Sequence, residues 1–565
     1  MKEKISKFLL PVLALVLTVV SALFWVALRI NHSGISKFLG ADSNQSFLIM
    51  NLPLIVTVLA WVGVALALPG LLLWGKRKWP AVTGLVIGVV MAVAAVFVII
   101  FGARDYLRFI LPHFWKSLGV TGALTLFALL LFFPLKSKWL RAAIVAVSVL
   151  VAVVLGYGIR PWGFSYGAVV YAVEDSYQIV FSTKDQADAW VQIGDQYYYD
   201  LYAGSMRSED LVHKIQVPQS VLDAAGGYTV YARQMIYRGP FGGYTGRTIS
   251  QSYDFRPVDA SDGLNYFALS DVHESVAAAA KTASREDTDF IVLIGDLISM
   301  VETEKDAQLA GDLAHRITGG EIPVIYARGN HEIKGKYAED LYKYVGSRDQ
   351  GYYYWVTLGQ EVYAVVLDMG EDHEDDFWEY YGTAQFDLYR AEQTEFMREL
   401  VAEGKYADYD YRMAICHIPI PYVDKNGYFE ETRLAWTELL DEMGMDISLS
   451  GHKHVFWTLI PGMYPAGEKL IYSEAYSGKP DKVEGGYLAD FSFPTFLVGR
   501  RSLEQAGGAL SDRTSYMCLH VRADLEAMEQ TAHYVNSDGD TVPMVYPFKG
   551  SPEGYEELTL PLGEK

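Results

Sequence analysis

The chain has 565 residues and carries 47 Lys+Arg against 68 Asp+Glu, a net charge of −21, and it is too long for one ordinary domain. Residues 1–160 hold 15 Lys+Arg and 3 Asp+Glu, which leaves 32 against 65, a net of −33, for residues 161–565. So acidic a part argues against nucleic acid as a partner, because phosphate backbones are held mainly by Lys and Arg. The two cysteines, Cys416 and Cys518, are too few for a disulfide framework, and whether they pair is left open.

Five apolar stretches, about 9–28, 47–75, 81–103, 117–135 and 142–159, contain no Lys, Arg, Asp, Glu or His. Each is long enough to cross a hydrocarbon core of roughly 30 Å, so residues 1–160 read as a five-helix transmembrane region with the lipid bilayer as a partner. The first stretch follows Lys2, Lys4 and Lys7 as a secretory signal would, but its length and the four later spans favour an anchor. With the N-terminus inside, nine Lys/Arg fall on the cytoplasmic side, Lys76-Arg77-Lys78 among them, and six on the other. That bias places the acidic part outside the cytoplasm, as the domain of a multi-pass cell-membrane protein. Spans without ionisable residues make a poor ion or proton path, so anchoring is their default role.

Residues 161–260 are rich in Tyr, Val and turn residues. Tyr177–Phe181, Ala189–Ile193 and Tyr228–Ala232 have the alternating, β-branched and aromatic character of strands, with Gly226-Gly227 and Gly242-Gly243 as turns. The expectation is a small all-β sandwich of immunoglobulin or fibronectin type III kind. Residues 261–565 change to short apolar runs at 266–269, 290–294, 323–327, 363–367, 413–416 and 447–449, with helical candidates at 274–285, 303–317, 389–403 and 432–443. This is an α/β layered pattern.

The residues just beyond these runs are informative: Asp271-Val272-His273, Gly295-Asp296, Gly329-Asn330-His331-Glu332, His417 and Gly451-His452-Lys453-His454. Metal-binding residue types stand at strand ends, where such sheets place ligands. Each piece has an ordinary reading alone: Asp271 as a helix cap, the Gly-Asp and Gly-Asn pairs as turns, His417 as a structural histidine, His452 and His454 as an exposed pair. Together, Asp271 with His273 and His452 with His454 read as extended pairs, each offering two side chains to one centre. Two carboxylates, one carboxamide and four imidazoles suit divalent ions better than soft, thiolate-loving ones.

In this order the blocks resemble the calcineurin-like metallophosphoesterase superfamily, over about residues 264–460. The resemblance implies a sandwich of two β-sheets flanked by helices and a phosphate-ester substrate. It also implies two divalent ions (Mn, Fe, Zn or Co), with Asp271, His273 and His454 on one, Asn330, His417 and His452 on the other, and Asp296 bridging. A shared water deprotonated between them is the expected nucleophile, and His331 takes the leaving-group role. Asp271 and Glu332 are both candidates for tuning His331, and Glu332 stands open between that role and stabilising its turn. The β-rich segment resembles the layout of purple acid phosphatases, but Ser299 stands where their tyrosine ligand would be, which puts an obligatory ferric ion in doubt. The fold expected overall is thus a membrane α-helical bundle, a small all-β sandwich and an α/β metallophosphoesterase sandwich. Two alternatives to a general esterase are an inactive metal-binding membrane sensor or scaffold and a hydrolase of lipid-linked phosphate or pyrophosphate. The acidic run 371–376 follows a strand and could reach the cleft to repel anionic substrates or capture another cation, but it reads first as a solvated loop, and His315, His520 and His533 read as structural.

Overall fold

The computed structural model describes Trp79 and parts of 82–90, and residues 162–563 except 203, 239–242, 284–286, 381, 425–427, 455, 466, 474–480, 488–490, 500–515, 545–547 and 550–553. The chain divides into two compact units, Met1–Arg160 and Pro161–Lys565. In the first, the described residues are helical, and the rest of the apolar stretches lie outside the described residues.

Among its described residues the second unit is built around two large sheets, of 13 and 6 strands. The parallel strands Leu264–Leu269, Phe290–Ile294 and Pro323–Ala327 lie side by side in the larger one. In the smaller one Val362–Leu367, Tyr411–Cys416, Ile447–Ser450 and Thr495–Leu497 run parallel. Alternation along Phe290–Ile294 sends Phe290, Val292 and Ile294 to the core between the sheets and Ile291 and Leu293 to the opposite face. Across that core Tyr266 Oη meets Tyr411 Oη at 2.9 Å. Helices Val276–Ala283 and Glu304–Thr318 contribute to the core on the outer face of the larger sheet, and Phe386–Glu403 and Glu430–Glu442 to that of the smaller. Glu304–Thr318 starts at a capping box of Thr303 and Asp306 and stops at Gly319, whose φ is +63°.

These elements correct the expected fold class in two respects. Among the described residues no helix is long and apolar enough to cross a membrane, and they form a mixed α/β, sheet-rich fold with no membrane helical bundle. Nor do the described residues form a separate all-β sandwich. Strand Phe164–Val173 pairs in parallel with Pro323–Ala327 and antiparallel with Ser176–Ile193, so the β-rich segment extends the larger sheet through Gly227–Arg238 to Gly243–Asp254. A free sandwich strand alternates buried with exposed residues, whereas Phe164–Val173 is buried on both faces from Tyr166 onward. Ala168, Val170 and Ala172 enter the inter-sheet core, while Tyr166, Val169 and Tyr171 join the helix-side core with Leu313. Gly311 allows that approach, since a Cβ there would strike the Tyr166 ring. Gln219 Nε2 donates to Thr357 O at 2.7 Å and ties the segment to the second sheet.

Candidate metal centre

Parallel strand ends assemble the site. From the larger sheet, the chain beyond Leu269, Ile294 and Ala327 delivers Asp271 and His273, Asp296, and Asn330 and His331. From the smaller, the chain beyond Cys416 and Ser450 delivers His417, and His452 and His454. The connecting turns are tight. Backbone φ is +54° at Asp271, +42° at His273, +62° at Glu274, +51° at Asp296, +71° at His452 and +52° at His454. The expected extended pairs are therefore left-handed turns, each such residue costing roughly 1–3 kcal/mol and held by its surroundings. Two glycines permit the crowding: a Cβ at Gly329 would collide with Asp296 Oδ1, and one at Gly451 with Ser270 Oγ.

All seven expected ligand residues meet here. Asp271, His273, Asp296 and His454 form one group and Asp296, His417 and His452 a second, each with ligand atoms within 4.8 Å of one another. Hydrogen bonds fix which atom of each side chain faces inward. His417 Nδ1 donates to Ile294 O, which turns Nε2 toward Asp296 Oδ2 at 3.2 Å. Asn330 Nδ2 donates to Glu371 Oε1 at 2.9 Å, so its Oδ1 faces the site. His452 Nε2 donates to Asp372 Oδ2 at 2.9 Å, and its Nδ1 lies 3.1 Å from Asn330 Oδ1. Ser299 Oγ donates to Glu274 Oε2 and accepts from His273 Nδ1 at 3.2 Å, which leaves His273 Nε2 facing His454 Nε2 at 3.2 Å. Ring nitrogens and carboxylate and amide oxygens thus crowd together across the site, an arrangement that a cation between them would satisfy.

The buried atoms agree. Asp271 Oδ1 and His417 Nε2 make no well-formed hydrogen bond; their polar neighbours are His454 Nε2 at 3.4 Å and Asp296 Oδ2 at 3.2 Å, contacts between buried groups that an ion would satisfy better. Burial pushes the Asp271 carboxyl up to about 7, His417 opposing and Asp296 adding to the shift. Burial would raise Asp296 too, but the His417 and His331 imidazoles hold it well below the usual carboxylate range. Burial would lower His417, yet Asp296 and Asp271 carry it up to about 10. The acids thus favour positive charge at His417, which a divalent ion held here would supply instead. Burial lowers His454 to about 4 and so keeps it a neutral donor. The residues fit divalent metal ions.

Comparison with known proteins agrees with this geometry: residues 264–456 match the family model described as calcineurin-like phosphoesterase. Residues 264–456 are a calcineurin-like phosphoesterase domain. The family implies a hydrolase acting on phosphate esters. No curated protein matches the chain. A solved structure described as GAP50, the anchor in the inner membrane complex of Plasmodium, is similar at 14% identity, over 54% of this chain and 89% of that one, with a TM-score of 0.33.

In the phosphoesterase domain Glu332 stabilises the turns. It is fully buried and accepts from the backbone N–H groups of Asp296 at 2.8 Å, Leu297 at 2.7 Å, Ile298 at 3.2 Å and Gly329 at 3.0 Å. Burial and Asp296 push its carboxyl up to about 8, and these donors oppose them. His331 Nδ1 donates instead to Ser299 O at 2.8 Å, so a carbonyl rather than an acid orients that ring, and its Nε2 points inward at 3.9 Å from Asp296 Oδ2. Glu332→Ala leaves several buried N–H groups without an acceptor, and we expect it to lower unfolding stability by about 3 kcal/mol. Denaturant unfolding checks this, and a loss under about 1 kcal/mol would remove Glu332 from that role.

Sequence reasoning preferred the wrong reading of the acids beside the site, a solvated loop over acids that reach the cleft. Glu371 and Asp372 belong to the run read as a solvated loop, yet Glu371 is 1% exposed and both touch expected ligands. A buried glutamate at the head of an acidic run has no local signature; the only sequence cue was its place just after a strand end. Cys416 and Cys518 are both buried, and burial pushes the Cys416 thiol up to about 12.

Proposed function

We propose that the domain hydrolyses phosphate mono- or diesters with two divalent ions, one held by Asp271, His273 and His454 and the other by Asn330, His417 and His452, with Asp296 shared. The observation that carries this reading is the convergence of His417, His331 and His273 Nε2 on Asp296 Oδ2, at 3.2, 3.9 and 4.0 Å. Two such ions, when bound, would offset charge on the phosphoryl oxygens and bring the pKa of a shared water toward neutrality. The chain's own part is orientation. Asp296 presents one oxygen to both donor groups, and the backbone N–H of His331 fixes the other at 2.9 Å. His331 holds its Nε2 at the partly open face of the site, with 34% of its side chain exposed, where it hands a proton to the departing oxygen.

We also propose that the apolar region before residue 160 anchors the domain outside the cytoplasm, a reading supported by the charge bias around it. Protection of residues 161–565 from protease added to intact cells, with digestion only after lysis, would contradict it. For the chemistry, the full chain in detergent with Mn²⁺ should turn over p-nitrophenyl phosphate or its bis ester, and chelation should abolish that turnover. The ratio of the two rates separates monoesterase from diesterase. Tight ion binding with no turnover of a broad phosphate panel would instead identify a scaffold.

A further inference from the structure

The two adjacent acids that the mechanism does not use, Glu371 and Asp372, lie in a rigid frame. Glu371 Oε2 meets Lys334 Nζ at 2.9 Å and accepts from Tyr380 Oη at 2.6 Å. Its Oε1 accepts from Asn330 Nδ2 at 2.9 Å and from the Asp372 N–H at 3.0 Å. The segment's backbone is pinned from the neighbouring helix, where Arg390, 1% exposed, donates through Nη1 to Met369 O at 2.9 Å and Glu371 O at 3.3 Å. Asp372 Oδ2 then accepts from His452 Nε2 at 2.9 Å.

One dipeptide therefore sets two donor atoms of the same group. An amide anchored through Nδ2 presents only Oδ1, and an imidazole anchored through Nε2 presents only Nδ1; these two inward atoms lie 3.1 Å apart. Across the site His273 is oriented by a hydroxyl, Ser299 Oγ, at 3.2 Å. Carboxylates that grip a ligating histidine fix its tautomer and raise its basicity, which a hydroxyl does less strongly.

We propose that Glu371 and Asp372 are positioning residues that selectively support ion binding at the Asn330, His417 and His452 side of the centre, an inference that rests on the two-ion reading above. Loss of such a partner weakens metal affinity by about 10–100-fold. The test is calorimetric titration of the metal-free full chain in detergent with Mn²⁺ alone. Wild type should bind two ions. In Asp372→Ala and Glu371→Ala one binding event should weaken by about 10–100-fold and the other stay within about twofold. His454→Ala supplies the reference, because it should weaken the event that those two variants spare. Asp372→Asn, which retains an acceptor for His452 Nε2, should recover most of the loss, and Glu371→Ala carries the test if Asp372→Ala fails to fold. Equal weakening of both events, or of neither, in a wild type that binds two ions overturns the positioning role and leaves the two-ion reading intact. A wild type that binds fewer than two ions overturns the two-ion reading itself.

Discussion

Asp296→Asn should lower phosphate-ester hydrolysis by about 10³-fold or more while leaving the protein folded. The side chain is 1% exposed and faces three imidazole nitrogens. An isosteric amide places N–H donors where Oδ2 stood, against His417 Nε2 and its neighbours. Those hydrogen bonds take the place of a cation and remove a negative charge from a buried site. Catalysis falls and stability does not, the usual relation where an active site holds uncompensated groups. Turnover with saturating Mn²⁺ and thermal unfolding, measured on the same sample, check both halves. Activity within about tenfold of wild type would exclude Asp296 from the shared position.

His331→Ala should lower turnover by about 10²- to 10⁴-fold without emptying the metal centre. Its Nδ1 is committed to Ser299 O at 2.8 Å, so only Nε2 can serve the departing oxygen. The loss should depend on the leaving group. p-Nitrophenolate departs without a proton and should show the smaller effect, whereas an alkyl phosphate should show the larger. Equal losses for the two substrates, or a fall in bound metal, would make His331 a structural residue.

The site was legible because its chemistry sits at strand ends. Short apolar runs located Phe290–Ile294 and Pro323–Ala327 within their observed bounds, and the polar residues just beyond them fell at one sheet edge once the strands ran parallel. The local reason for convergence was not legible. Asp271 with His273 and His452 with His454 look like extended pairs by their spacing, yet all four have left-handed backbones. That conformation is imposed by tertiary contacts, among them the His273 N–H to Asp296 O bond at 3.1 Å and the His452 N–H to Asp271 Oδ2 bond at 3.1 Å. The β-rich segment failed for a related reason. Alternation identifies a strand but not its neighbours, and Val170 pairing with Pro323 is a contact across more than a hundred residues of sequence. Glu371 was hidden because its partners, Lys334, Tyr380 and Asn330, come from separate loops.

The most direct test of the shared-carboxylate centre is anomalous diffraction at the manganese edge from crystals of the protein grown with Mn²⁺. Two peaks are predicted, one among Asp271, His273 and His454 and one among Asn330, His417 and His452, with Asp296 between them. A single peak, or peaks away from Asp296, would contradict it.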